Sequence, residues 1–502
     1  MKNLKAIAAL LVVFCVVTTL AEEKGGQTVN EVLNRATELY RAKEYDRSVA
    51  LYETILDSLK GDGRELYNAA CTYSLAGRTR KAVELLKLTV EAGWDDYQHM
   101  ERDADLDNIR KDSEYQQMVA DLKQQAEERE RGYKFWLNPG ETKTFVGREF
   151  ELVGVPTDTV PESARRIRDL HPFNGELYVG YGDGMDNKGP VAIVSFRPDV
   201  KEWRYHFMAQ EHLVARFREI GSELYIPGAE PFEGIPGRNY IHNYDFGNIF
   251  RIFGHGGFVK YRTVPMALHI QDIAELDGDF LCTAGTANEG WQKAWGAIFR
   301  STDGCVSWTT GYDLEGPENV VTRLGVVRPF AGRLYSFGFA FTVAPDERFL
   351  FTPDAFGAEE AIVYDGENWS TLDLIQEPGL LTVRDAEEFA GRLVLNAGFY
   401  DAEVDTSPPA VFSTLYAYDG KGKAVRALDR KLMTIGDMFV DGEWLYLLVR
   451  EGKTRRVLRT RDLAGFETAV ELSEEIGAGC IAVLDGYLYL GCKEGEVYRV
   501  KL

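Results

Sequence analysis

Histidine and cysteine are scarce in this chain, with seven and six among 502 residues. None falls at the spacing of a metal-binding Cys/His cluster, so no metal site is assigned from them. The sequence also lacks a nucleophile elbow, a phosphate-cradling glycine loop and a zinc-binding helix motif. Positive charge is in deficit: 57 Lys and Arg stand against 79 Asp and Glu, a formal net charge of -22. That balance excludes nucleic-acid backbone binding, which needs basic patches to release counterions, and disfavours anionic membrane surfaces. Long apolar runs are missing apart from Ala6 to Leu20. That run is short of the roughly twenty residues of a membrane span. What is present is ample core material: 45% hydrophobic and 12% aromatic residues, in a chain too long for one ordinary core.

The N-terminus reads as an export signal. Lys2 and Lys5 precede the apolar run, and Thr19-Leu20-Ala21 offers small residues where a signal peptidase inspects, followed by Glu22-Glu23-Lys24. Residues 1–21 are therefore assigned as a signal peptide, and the mature protein as periplasmic, cell-surface or secreted. It contacts a membrane only if this segment is retained. Export permits disulfides. Cys480 and Cys492 lie on the two strands of the last hairpin, nearly opposite each other, so a bridge between them is geometrically reasonable. Two separate buried thiols are the alternative.

Residues 29 to 123 read as helices. Aligning 29–62 with 63–96 superposes Ala36 on Ala70 and Ser48 on Ala82, with Leu39, Tyr52, Tyr73 and Leu86 as large apolar partners. Small residues at the close approach and large ones around it suit two antiparallel helices. The pattern, with its 34-residue period, resembles the tetratricopeptide repeat. The resemblance implies a helical domain over 22–123, closed by the segment around Asp103 to Arg110, that binds a protein partner or packs on another domain. A charged helical linker over 124–142 follows, ending near the turn Asn138-Pro139-Gly140.

From residue 143 onward a different period takes over. Seven times an apolar strand, a glycine-containing turn and a second strand with a two-residue apolar step recur. The steps are Leu177-Tyr178, Leu224-Tyr225, Phe280-Leu281, Leu334-Tyr335, Leu393-Val394, Leu445-Tyr446 and Leu488-Tyr489, spaced 47, 56, 54, 59, 52 and 43 residues apart. Strand hairpins with a period near fifty predict a seven-bladed β-propeller over 143–502, because a four-stranded blade buries its faces only against neighbouring blades. The expected fold class is thus a short helical repeat domain followed by a propeller. The chain ends one strand past the last hairpin, and an apolar strand within Thr144 to Val155 is available to complete the seventh sheet.

The segment Ser301-Thr302-Asp303-Gly304-Cys305-Val306-Ser307-Trp308 resembles the Asp box of sialidase-type propellers through Ser301, Asp303 and Trp308; Cys305 stands where that box usually has glycine. In those families the box is a structural turn between outer strands. The arginines, tyrosine and carboxylates that sialidases also need are not placed by any local motif here. The loop Tyr181-Gly182-Asp183 to Gly189-Pro190 and the strand Leu224 to Gly228 also resemble a family of secreted bacterial propellers of unassigned function.

Aligning the hairpins exposes one column of interest. Eight residues before each step stand Asp169, Arg216, Asp272, Val326, Asp385, Asp437 and Cys480. Four aspartates in seven equivalent places exceed what a strand normally holds. The position lies on the innermost strand, beside the channel. Loops leaving the second strands emerge nearby and are long on blades one to five. They carry Asp183, Asp186 and Asn187 on blade one, Trp291 on blade three and Tyr400 on blade five, together with the aromatics Tyr181 and Phe399. These oxygens suit calcium, and the aromatics suit a carbohydrate; the plain alternative is that the aspartates accept loop amides. His269, three residues before Asp272, is either a general base or a packed histidine. No cofactor is evident. The reading is an exported binding or scaffold protein, with a glycan-processing enzyme of sialidase or lyase type as the competing class.

Overall fold

The computed structural model describes residues 29–59, 63–92, 97–135, 141–157, 160, 162–183, 190–209, 211–231, 246–254, 257–286, 295–314, 316, 320–343, 349–351, 360–377, 379–400, 411–428 and 433–502. The signal-peptide assignment falls on residues outside this set. The chain divides into a helical unit (residues up to Ala92 with His99–Met118) and a β unit (Gly93–Gln98 with Val119–Leu502).

In the helical unit, Val29–Arg41 and Tyr45–Ile55 form one helix pair and Gly63–Leu75 and Thr79–Glu91 a second, each element starting 34 residues after its counterpart. The turns between the paired helices also correspond: Lys43 and Gly77 both take the left-handed conformation, with φ of 60° and 73°. Glycine adopts that region without cost, whereas lysine is held there by the turn. Ala36, Ala70, Ser48 and Ala82 are all fully buried. Ser48 Oγ donates to the Ala36 carbonyl at 2.8 Å, which is the close approach that the small residues permit. Tyr97–Arg102, the 3-10 turn Ala104–Leu106 and the helix Ser113–Phe135 follow.

The β unit is a seven-bladed propeller. Six blades are consecutive antiparallel sheets of the chain, and the seventh is completed from both ends. Ala478–Leu484, Tyr487–Cys492 and Val497–Lys501 supply three strands; Arg148–Gly154 pairs with Val497–Lys501 as the fourth. The expected closing strand is therefore present, and Thr142–Phe145 folds back on it as a fifth. Two short strands from the loops of blades one and two, Glu211–Leu213 and Ala229–Pro231, extend blade three on its inner side.

The apolar steps make the core. Leu177, Leu224, Leu281, Leu393, Leu445 and Leu488 are fully buried, and Leu334 is 2% exposed. Their neighbours face the other side of the sheet, where Tyr178, Tyr225, Tyr335, Val394, Tyr446 and Tyr489 are buried and Phe280 is half-buried. A strand buried on both faces packs against two blades at once, and each such leucine contributes roughly 1.5–3 kcal/mol of burial. Four turns between third and fourth strands share one design: Asp303, Asp365, Asp419 and Asp462 each accept backbone amides two to four residues on.

Candidate functional site

The aligned column does form a ring on the innermost strands. On six blades it sits directly after a register shift, between residues 167 and 169, 270 and 272, 324 and 326, 383 and 385, 435 and 437, and 478 and 480. A bulge adds a residue and re-aims the next side chain. Here it recurs at one aligned position, where Val326 and Cys480 pack in the core and the aspartates reach for partners. Three of the aspartates use it to tie blades together. Asp169 Oδ2 accepts the Phe217 amide at 2.7 Å, Asp272 Oδ2 the Val327 amide at 3.1 Å and Asp437 Oδ2 the Ile481 amide at 2.7 Å. In each case the donor follows the ring position of the next blade.

Blades two to five place a dense ionic cluster here. Asp272, whose side chain is fully buried, receives Arg218 Nε on Oδ1 at 2.6 Å, Arg218 Nη2 on Oδ2 at 3.1 Å and Arg216 Nη1 on Oδ2 at 2.9 Å. Arg328 Nη1 stands 3.6 Å from the same Oδ2. Arg216 and Arg218 also reach Asp385 Oδ1, each at 3.7 Å. Arg328 Nη2 binds Glu387 Oε1 at 2.5 Å, and Arg218 Nη1 lies 3.8 Å from it. Arg216 further donates to the Arg384 carbonyl and Arg328 to the Ala386 carbonyl, so blades two and four are fastened to blade five. Burial alone would raise Asp272, but Arg218, Arg216 and Arg328 outweigh it and hold the carboxyl well below its usual range. Arg218 is raised: burial opposes its charge, and Asp272 with Glu387 more than restores it.

Blades six, seven and one present a less charged arc. Burial pushes Asp169 up to about 6 and Asp437 well above the carboxylate range, with each donated amide working against that shift. Cys480 is raised by burial and by the nearby Asp437 and Asp169. His171, two residues after Asp169, is pushed down to about 3 by burial, Arg218 and Arg328, and its Nε2 has no hydrogen-bond partner. It is a neutral imidazole.

Above the ring, at the end where the inner strands begin, three arginines stand apart from this cluster. Arg168 and Arg384 are the bulge residues that precede Asp169 and Asp385, and Arg166 is one strand period before Arg168. No carboxylate pairs with any of the three among the described residues. Arg168 donates to the Gly182 carbonyl at 3.3 Å. It is lowered by burial and by repulsion from Arg166, partly offset by Asp183. Arg384 is exposed, yet enough protein rings it for burial to lower it too.

The other expected site residues are dispersed. Asp183 is buried, and its amide bonds to the His212 carbonyl. Asp186, Asn187 and Trp291 lie outside the described residues, as does the side chain of Tyr400 at the end of the strand Arg392–Tyr400. Tyr181 and Phe399 are core residues, 0% and 1% exposed, and offer no stacking surface. A bulge does separate His269 from Asp272, but both oxygens of Asp272 are engaged by arginines and amides, and His269 pairs across its strand with Gly285 and Ala229. Cys480 and Cys492 are free. The bulge between Ala478 and Cys480 sets Cys480 opposite Gly491, and the two thiols enter core clusters on opposite faces of the blade.

In the turn from Ser301 to Trp308, Asp303 accepts from Ser301 Oγ at 2.8 Å and from the Ser307 amide at 2.9 Å, while Trp308 Nε1 donates to Thr263 Oγ1 at 3.1 Å. Cys305 takes φ 75°, a conformation that explains why glycine is the expected occupant.

Among the described residues, Cys71, Asp103 and Asp105 are the grouping with metal-ligand proximity. Tyr67 donates to Asp103 at 2.8 Å and Tyr40 to Asp105, so both carboxylates are already engaged.

Sequence reasoning missed Arg218, Arg328 and Glu387. The signal was one strand period away: two residues after the ring column the occupants are His171, Arg218, Ala274, Arg328, Glu387, Phe439 and Ala482.

Residues 28–131 match the family model described as A/B hydrolase-like, N-terminal domain, rather than a tetratricopeptide model. No curated protein matches the chain. Similar solved structures include a polysaccharide lyase of family PL25, an ulvan lyase bound to -[GlcA(1-4)Rha3S]-, at 11% identity and TM-score 0.43, covering 68% of this chain and 93% of that one. The β-propeller domain of the trilobed protease from Pyrococcus furiosus follows at 12% identity and TM-score 0.40, covering 68% and 95%. Virginiamycin B lyase from Staphylococcus aureus stands at 11% identity and TM-score 0.40, covering 67% and 95%. The propeller itself is defined by the strand pairing of this chain.

Proposed function

We propose that this chain is an exported, non-enzymatic binding protein, with a propeller face that takes a ligand and helical repeats that engage a protein partner. The observation that carries the reading is the occupancy of the arginine cluster. Three guanidiniums converging on one point would suit a substrate carboxylate; here Asp272 of the chain itself fills that point. Held well below its usual range, Asp272 is a permanent anion and not a proton carrier. Asp169 and Asp437 spend an oxygen each on the amides of neighbouring blades. The ring therefore serves closure, and ligand contact falls to the loop-bearing face above it. The 34-residue offset of the helix pairs and their matching left-handed turns favour a tetratricopeptide-like module. The hydrogen bonds around Asp303 favour an Asp-box-type turn.

The competing reading is a glycan-processing enzyme, and the convergence of Arg216, Arg218 and Arg328 is the observation that favours it. Thermal unfolding of the mature protein from Glu22 against neutral and acidic oligosaccharides, sialosides, and calcium with and without chelator separates the two, when joined to product analysis. Binding with no product, as a concentration-dependent rise in melting temperature, is expected. Turnover of any of these glycans, lost in Arg328→Ala, would establish the enzyme instead.

A further inference from the structure

We propose that the strands Glu211–Leu213 and Ala229–Pro231 form a strap that makes blades one, two and three a single cooperative unit at the loop-bearing end of the propeller. The pairing runs without a break from one blade to the next. On blade one, the Val214 amide donates to the Tyr181 carbonyl at 2.9 Å, the Asp183 amide donates to the His212 carbonyl at 3.1 Å, and Gly182 bridges Leu213. The Val191 amide, at the start of that blade's third strand, donates to the Glu211 carbonyl at 3.0 Å. Within the strap, Leu213 pairs with Ala229 and Glu211 with Pro231. Ala229 then pairs with His269 of blade three, where the Ile270 amide donates to the Gly228 carbonyl at 3.0 Å. Among the described residues of blades four, five and six, no strand pairs outside its own sheet.

Two glycines and one buried carboxylate fit the strap to its blades. Gly182 has φ 125°, and a Cβ there would lie 2.2 Å from the His212 carbonyl oxygen, so no side chain fits where blade one meets the strap. A Cβ on Gly228 would lie 2.7 Å from both the Asn248 carbonyl oxygen and Glu211 Oε1. Glu211 is fully buried, and Asn248 Nδ2 of blade two donates to its Oε1 at 2.5 Å. A carboxylate is costly to bury and is retained where it is hydrogen-bonded, so Glu211 fastens the strap to blade two as the amides fasten it to blades one and three. His212, Val214 and Ala229 are buried as well. Releasing one side of such a strip would leave buried amides and carbonyls without partners, so its bonds open together. The roots of three loops are thereby held at fixed spacing. A ligand on this face, in the reading above, would meet a preformed floor there; the strap itself does not depend on that reading.

The test is amide hydrogen exchange of the mature full chain over a series of sub-denaturing urea concentrations. Mass spectrometry with fragmentation resolves the amides of Asp183, Val191, Val214 and Ile270. One cooperative unit requires these four to exchange through one opening, with protection within about threefold of one another and the same dependence on urea. Gly182→Ala should speed exchange at least about tenfold at all four, Ile270 two blades away included, and leave the inner strand of blade six unchanged. Gly221→Ala sits at a hairpin turn with φ 64°, where a Cβ meets nothing within 4 Å. It imposes comparable backbone strain outside the strap and should leave the four amides as they are. Exchange of Val214 and Ile270 at the rate of unstructured chain would overturn the proposal. So would differing urea dependences among the four amides, or a Gly182→Ala effect that ends at Asp183 and Val214. If Gly182→Ala does not fold, the urea series on the parent protein decides alone.

Discussion

Six arginines on or beside the inner strands of the propeller live in opposite circumstances. Arg216, Arg218 and Arg328 are enclosed with Asp272, Asp385 and Glu387 and share their protons across four blades. Arg166, Arg168 and Arg384, displaced one or a few residues along the chain from the ring position, form no ion pair with a carboxylate among the described residues, although Asp183 acts on Arg168 from a distance. Residue type is the same, so the difference lies in place: Arg216 stands at the ring position and Arg218 and Arg328 two residues after it, within reach of the carboxylates of other blades. Closure of a propeller is usually credited to the strand exchange of its last sheet, which this chain also has. The ionic cluster is a second lock, drawn across the channel between blades that share no edge.

Breaking the enclosed half should have the largest effect. Asp272→Ala removes the carboxylate on which three guanidiniums converge and leaves them only Asp385 and Glu387, and we expect a loss of about 3–5 kcal/mol, read by urea denaturation. Arg218→Met removes one partner but leaves Asp272 with Arg216 and Arg328, so a smaller loss of roughly 2–3 kcal/mol should follow.

The less charged arc offers a finer probe through pH. Asp169 has its folded value raised to about 6, above the ordinary value near 4, so the folded state holds the proton more tightly. The stability this supplies is complete below about pH 4 and is lost as pH rises through about 6. Asp169→Asn keeps an acceptor for the Phe217 amide and lacks the ionisation. Relative to the parent it should gain on the order of 1 kcal/mol between those limits, measured as the pH dependence of the difference in unfolding free energy. The smallest effect is expected among the arginines outside the cluster: Arg166→Ala should shift stability by less than about 0.5 kcal/mol, since it removes only a repulsion at the surface.

The contrast also marks what the sequence could yield. The hairpin steps announce themselves because each must bury both faces of its strand, and that forces apolar pairs at Leu224-Tyr225 or Leu488-Tyr489 whatever the loops do. The helix pairs are legible for a similar reason, since Ala36 and Ser48 are small where helices touch. The ring aspartates were visible as a column because a charge is rare on an inner strand. Their role was not, because the acceptor geometry depends on a bulge, and a bulge such as that at Gly436 or Gln271 has no fixed residue. Arg328 and Glu387 come from different blades and meet only in three dimensions. The pairing of Cys480 with Cys492 failed by one inserted residue, Gly479, which put the two thiols on opposite faces.

The most direct test of the account is urea denaturation of Asp272→Ala beside the double variant Arg166→Ala/Arg168→Ala under one set of conditions. The account predicts a loss of several kcal/mol in the first and a change within about 0.5 kcal/mol in the second. Equal losses, or an Asp272→Ala protein as stable as its parent, would contradict an ionic cluster that locks the ring of blades.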